Sequence, residues 1–150
     1  METNSSIYLL FFTIIMAYII LSVIADMMLF DKLGKKKWLA IVPFVSEYII
    51  FKSFLKTKEF WIFMPSYIIY LVCCNFNLES NVLVSILYLI SLAIVSIIIV
   101  DLYDKILKCF GANTLYSFGL ILLYPVFMIY LIRKYELKDE MKNKLSIKNQ

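Results

Sequence analysis

The sequence predicts an all-α integral membrane bundle, and three observations predict it. Hydrophobic residues make up 63% of the 150 positions, against about half in a soluble domain, which leaves too little polar surface to wrap a water-soluble core. The apolar residues fall in long runs separated by short charged breaks. The basic residues are placed so that one folding scheme collects all of them on a single membrane face. That scheme has three full spans plus two proline-broken re-entrant or interfacial hairpins on the cytoplasmic side. Residues 1–134 then form a single transmembrane domain and residues 135–150 a charged cytoplasmic tail.

The first apolar run, Ile7–Ala25, has 19 residues, or about 28 Å as a helix, close to the hydrocarbon thickness. The residues before it carry Glu2 and no base, unlike the basic start of a secretory signal, so a retained span is expected. Asp26 and Asp31 close it, and Lys32-Leu33-Gly34-Lys35-Lys36-Lys37 follows. Leu39–Phe51 is only 13 residues long and contains Pro43 and Glu47. At about 20 Å it is too short to cross, and Glu47 at mid-depth would be costly. A dip into the membrane that returns, with Gly34 and Pro43 as its breaks, is the expected arrangement.

Phe60–Phe76 is the second span, with Pro65 near its start, where the lost N–H costs least. The polar loop Asn75–Asn81 carries Glu79 and no base. Val82–Val100 is the third span and is free of charge. Its face Ser85, Tyr88, Leu92, Ser96 fits a helix–helix contact. Asp101, Asp104, Lys105 and Lys108 end it, and Gly111 breaks the chain. Leu115–Ile132 is long enough to span, but Pro125 in its interior bends or breaks it. Span, acid, break and proline recur in the same order over Ile7–Phe51 and Val82–Ile132, which suggests a parallel internal repeat.

Charge decides between topologies, because Lys and Arg collect on the cytoplasmic side. With the N-terminus outside, three spans and two returning hairpins, all 15 basic residues are cytoplasmic. Letting Leu115–Ile132 span moves the basic tail outside, and letting Leu39–Phe51 span moves Lys52, Lys56 and Lys58 outside. Within the tail, Glu140 and Lys144 stand at helical spacing.

The stretch Phe30–Tyr48, FDKLGKKKWLAIVPFVSEY, resembles an uncharacterised family of small bacterial multi-pass membrane proteins. That family's pattern runs roughly F-x-K-A-G-x-x-G-W-x-x-x-I-P-x-Y-N-x-Y, and its module also occurs fused ahead of some type I signal peptidases. A second block is similar to Phe110-Gly111 and Gly119–Pro125. The chain departs from the pattern at Lys37, where the family often has Gly, and at Val45-Ser46, where it often has Tyr-Asn. The resemblance covers about 100 residues and implies a bacterial cytoplasmic-membrane location.

Several chemistries are excluded by composition. The absence of His removes imidazole catalysis and the commonest metal ligand. Three glycines leave no room for a phosphate-cradling G-x-G-x-x-G or P-loop. Cys73, Cys74 and Cys109 match no metal spacing. Neither an enzyme nor a cofactor is expected, and the net charge of +4 is explained by membrane orientation rather than nucleic acid. The candidate functional acids are Glu47, which has apolar neighbours, and Asp101 with Asp104, which share a helix face at i,i+3. Lys35, Lys36 and Lys37 with Trp38 form a basic cluster suited to anionic lipid. The leading expectation is a non-catalytic accessory subunit packing on a larger membrane complex for peptide export, ABC-type transport or protein processing. The alternative is a small homo-oligomeric channel or transporter, self-associated, with a hairpin-lined polar path.

Overall fold

A computed structural model describes residues 2–75 and 82–138, with side chains from residue 7 onward. The polar loop beyond Asn75 and the spaced charges Glu140 and Lys144 lie outside the described residues. Among the described residues every regular element is helical. The helices are α1 (Glu2–Lys32), a 3-10 turn (Lys37–Ile41), α2 (Val45–Phe54), α3 (Thr57–Cys74), α4 (Val82–Phe110), α5 (Tyr116–Leu122) and α6 (Tyr124–Lys134). Two stretches, Ile7–Lys32 and Val82–Phe110, are long and apolar enough to cross a membrane.

The first helix has two regimes. Residues 7–21 are exposed on every side although nearly all are apolar. Its few hydroxyls are turned inward: Thr13 Oγ1 donates to the Leu9 carbonyl at 2.8 Å and Ser22 Oγ to the Tyr18 carbonyl at 2.9 Å, which hides polar atoms from an apolar surrounding. Burial begins at Ala25 and continues through Leu29, Phe30 and Leu33, the stripe that meets α6 and the 3-10 turn.

The helix runs past Asp26, which the sequence reading placed at its end, and stops at Gly34. There the Lys35 N–H donates to Phe30 C=O at 2.8 Å and the Gly34 N–H to Asp31 C=O at 3.1 Å, with Gly34 at φ +65. This pairing is a Schellman cap, and the left-handed residue it requires favours glycine. The same cap closes α4. Ala112 N–H meets Leu107 C=O at 2.9 Å, Gly111 N–H meets Lys108 C=O at 3.2 Å, and Gly111 stands at φ +69. The two helices share this cap, and different elements follow it: a 3-10 turn and α2 after the first, α5 and α6 after the second.

After the first cap come the 3-10 turn and a tight bend. Phe44 sits at φ 65, ψ −44, and Val45 N–H reaches back to Pro43 C=O at 2.8 Å. This is a γ-turn in the strained region. It reverses the chain into α2, which lies against α3 and α4. Phe51 packs its ring 5.7 Å from Phe60 and 4.9 Å from Phe63, and Tyr48 lies 5.2 Å from Phe60.

Helices α3 and α4 form an antiparallel pair: Tyr70, late in α3, stacks on Tyr88, early in α4, at 5.4 Å. The buried stripe of α4, Ser91, Val95, Leu102 and Ile106, recurs every three to four residues, as a packed helix face requires. Of the face expected from sequence, Tyr88 joins this contact, while Ser96 is exposed. Pro65 stands inside α3 rather than in its first turn, because the helix begins at Thr57; the Trp61 carbonyl thereby loses its helical partner.

After the second cap the chain makes two short helices. Leu123, at φ −139 and ψ 61, separates them, and Pro125 falls in the first turn of α6. The two fold face to face: Gly119 lies directly under the Phe127 ring. Beyond α6 the Lys138 N–H donates to Cys109 C=O at 3.0 Å. Residues 110–138 therefore leave the C-terminal end of α4 and return to it. The fully buried core, including Phe30, Leu33, Ile106, Leu107, Leu120, Met128 and Leu131, is gathered at this end.

Candidate functional site: an acidic, tyrosine-lined cavity

At this end, α1, α2, α3, α4 and α6 enclose a cavity of about 450 Å³. Asp26 enters it from α1, about two turns before the Gly34 cap. Glu47 enters from the first turn of α2, carried there by the reversal at Phe44. Tyr18, Tyr67, Tyr103 and Tyr124 contribute four phenol rings, and Phe51, Phe63 and aliphatic side chains complete the wall. No Lys or Arg among the described residues lines it.

The closest polar contact is between Tyr124, at the start of α6, and Asp26: the phenol donates to Oδ1 at 2.5 Å, a separation typical of a hydrogen bond to a carboxylate. Tyr103 stacks on Tyr124 with ring centroids 5.9 Å apart, which fixes the phenol's direction. The Ser46 hydroxyl also lies beside Asp26, without closing a bond of good geometry; its Oγ is buried and unpaired. Glu47 has an exposed flank, so the cavity opens beside it, while its carboxyl is crowded on the inner side. That partial burial raises the Glu47 carboxyl above the usual carboxylate range. Burial, reinforced by the Asp26 carboxylate, pushes the Tyr124 phenol well up. Tyr124 therefore keeps its proton and remains a donor at neutral pH.

Of the acids singled out from the sequence, Glu47 is in the cavity and the other two are not. Asp101 pairs with Lys105 at 2.7 Å and Asp104 with Lys108 at 2.5 Å, each one helical turn on. Both line a shallow surface with Ser96, Ile97 and Val100. Lys52, one turn beyond Tyr48 on α2, lies over the Tyr48 ring at 5.7 Å. In the basic cluster, Lys36 and Trp38 are exposed, and Lys37 pairs with Asp31 at 3.1 Å. Of the expected breaks, Gly34 and Gly111 are helix caps, Pro43 makes the γ-turn and Pro125 opens α6.

The chain matches no family model, no curated protein and no solved structure.

The sequence reading missed Asp26 and its phenol partner. One signal was present: Met27-Met28-Leu29-Phe30 resumes the apolar run directly after Asp26, so the acid is flanked by helix on both sides. No group of three or more metal-ligating side chains occurs among the described residues. Two carboxylates in one mostly aromatic cavity repel each other unless a proton or a cation sits between them. Aromatic faces attract cations, most strongly when the site is dry. The arrangement is suited to binding a small positive charge.

Proposed function

We propose that this chain is a non-catalytic membrane protein of the channel or transporter class that takes a small cation into the cavity between Asp26 and Glu47. One observation carries the reading: two carboxylates share a tyrosine-walled cavity that no basic side chain among the described residues lines. In this reading α1, α3 and α4 are full spans, and the segments 35–56 and 112–138 are returning hairpins on the cytoplasmic face. Supporting the second span, α3 has 18 residues, about 27 Å of helix, with Lys58 and Glu59 confined to its first turn. Supporting the second hairpin, the chain returns from α6 to Cys109. Lys32–Lys37, Lys52–Lys58, Lys105, Lys108, Arg133, Lys134 and Lys138 then face one side, as cytoplasmic basic residues do. The resemblance of Phe30–Tyr48 to the small bacterial membrane family implies that this side is the bacterial cytoplasm.

Reconstitution in liposomes tests the proposal, with sodium and tetramethylammonium as probe cations. Uptake by the native chain, its loss in Glu47→Gln and its retention in Asp101→Asn support the reading. Equal uptake by native and Glu47→Gln protein removes the cavity from the path.

A second reading, an accessory subunit of a larger membrane complex, is favoured by a different observation. Residues 7–21 of α1 are all exposed, and of these only Tyr18 reaches the cavity, so a face about four turns long is open to a partner. Native-mass analysis separates the two. A stable complex with a different chain, without cation uptake, supports the accessory role; a homo-oligomer with uptake supports the first reading.

A further inference from the structure

A second cavity, of about 380 Å³, lies between the C-terminal ends of α1 and α6. Its floor is Ile24, Met27, Met28 and Ile132, and its rim carries Asp31, Lys32, Lys37 and Arg133. Asp31 and Lys37 neutralise one another at 3.1 Å. Lys32 and Arg133 have no carboxylate partner among the described residues. The rim thus holds two uncompensated positive charges from helices about 100 residues apart in sequence, set over an apolar floor.

The position of the groove narrows its occupant. Its floor begins at Ile24, exposed, and continues up the apolar surface of α1 that residues 7–21 present. A molecule seated here has its charged end beside Lys32 and Arg133 and its apolar end along α1. The guanidinium fork matches two phosphate oxygens at once, and the ammonium adds a point charge. Methionine thioethers adapt to flexible chains without a fixed shape.

We infer that this groove is a binding site for one anionic phospholipid, its phosphodiester held between Lys32 and Arg133 and an acyl chain lying over Met27, Met28 and Ile24. The site is distinct from the cluster of Lys35, Lys36 and Trp38, and it rests on the membrane-spanning reading of α1. It joins α1 to α6, so an occupied groove clips the second hairpin to the first span.

The experiment uses the full chain in phosphatidylcholine nanodiscs containing a minor fraction of phosphatidylglycerol. Lipid retained on the protein after detergent extraction is counted by native mass spectrometry. The native chain should retain phosphatidylglycerol in preference to phosphatidylcholine. Lys32→Gln with Arg133→Gln should weaken that retention about thirtyfold, each basic group near an anionic surface contributing about fivefold. Lys56→Gln with Lys58→Gln, outside the groove, should leave it unchanged, and Arg133→Lys should give an intermediate loss because it keeps charge without the fork. Equal loss in both double variants overturns the proposal in favour of diffuse surface attraction. Full displacement by inorganic phosphate at millimolar concentration overturns it in favour of a soluble phosphate ligand. If the double Gln variant does not fold, the Arg133→Lys result decides: retention equal to the native chain overturns the proposal. Failure of the chain to enter the disc overturns the membrane reading and this site with it, whereas entry without lipid preference overturns the site alone.

Discussion

Replacing Gly119 with Ala separates a folded-back α5–α6 from a continuous helix by the sign of the effect. A Cβ at Gly119 would overlap three carbons of the Phe127 ring, the farthest of them, Cζ, only 2.6 Å away. The nearest two, Cδ1 and Cε1, stand at 2.3 Å and ordinary contact begins near 3.4 Å, so the ring must move by more than an ångström. Met128, Leu131 and Ile132 of the same helix are buried, which limits that movement. Overpacking of this kind costs about 1–3 kcal/mol. Helix propensity returns about 0.5–1 kcal/mol when Gly becomes Ala, so the net expectation is a destabilisation of about 1–2 kcal/mol. In a continuous helix Gly119 and Phe127, eight residues apart, would stand about 12 Å apart along the axis, and Ala would stabilise. The assay is reversible unfolding in mixed micelles by titration with a denaturing detergent. A double cycle with Phe127→Ala should recover most of the loss as coupling between the two sites. A stabilising Gly119→Ala, or zero coupling, would refute the folded-back geometry.

Three further outcomes are expected. Tyr124→Phe removes the phenol that donates to Asp26 at 2.5 Å; the same unfolding titration should show a loss of about 1.5–3 kcal/mol if the acceptor is ionised, and no loss would remove this bond from the cavity's stability. Because the folded Glu47 carboxyl is raised above 4.5, its contribution is fully present below that value and fades as pH rises through the raised one. Unfolding of the native chain across that window should show a steeper decline than Glu47→Gln shows, and parallel profiles would contradict it. Asp101→Asn and Asp104→Asn break exposed one-turn pairs, so each should change stability by less than about 1 kcal/mol, with cation uptake intact; abolished uptake would move the site to α4.

Much of the fold is legible in local pattern. The apolar runs mark α1, α3 and α4, and Gly34 and Gly111, legible as chain breaks, each take a left-handed cap position. Pro125 stops one short helix and opens the next, as a residue without an N–H does. Legibility ends where long-range packing decides. Asp26 reads as the close of a span because a carboxylate is costly in hydrocarbon, yet α1 carries it two turns further in. The compensation is a phenol 98 residues away, and no local pattern announces that pairing. Glu47 stands out because its neighbours are apolar, but its proximity to Asp26 depends on the Phe44 reversal, a strained conformation of a residue type that gives no hint of it. Pro65 is displaced inward by the unannounced helical turn Thr57–Phe60, whose start is stabilised by the Glu59 carboxylate accepting from Lys56 N–H at 3.0 Å.

The central claim is that both short-helix segments begin and end on one side of the membrane. Four single-cysteine variants, at Lys35, Lys56, Lys108 and Lys138, bracket the two segments in a chain whose Cys73, Cys74 and Cys109 are replaced by Ser. Labelled with a membrane-impermeant maleimide in right-side-out and inverted vesicles, all four should react only in inverted vesicles. Reaction of Lys56→Cys or Lys138→Cys from the opposite side to its partner would show that the segment between them crosses, and would contradict the one-sided arrangement.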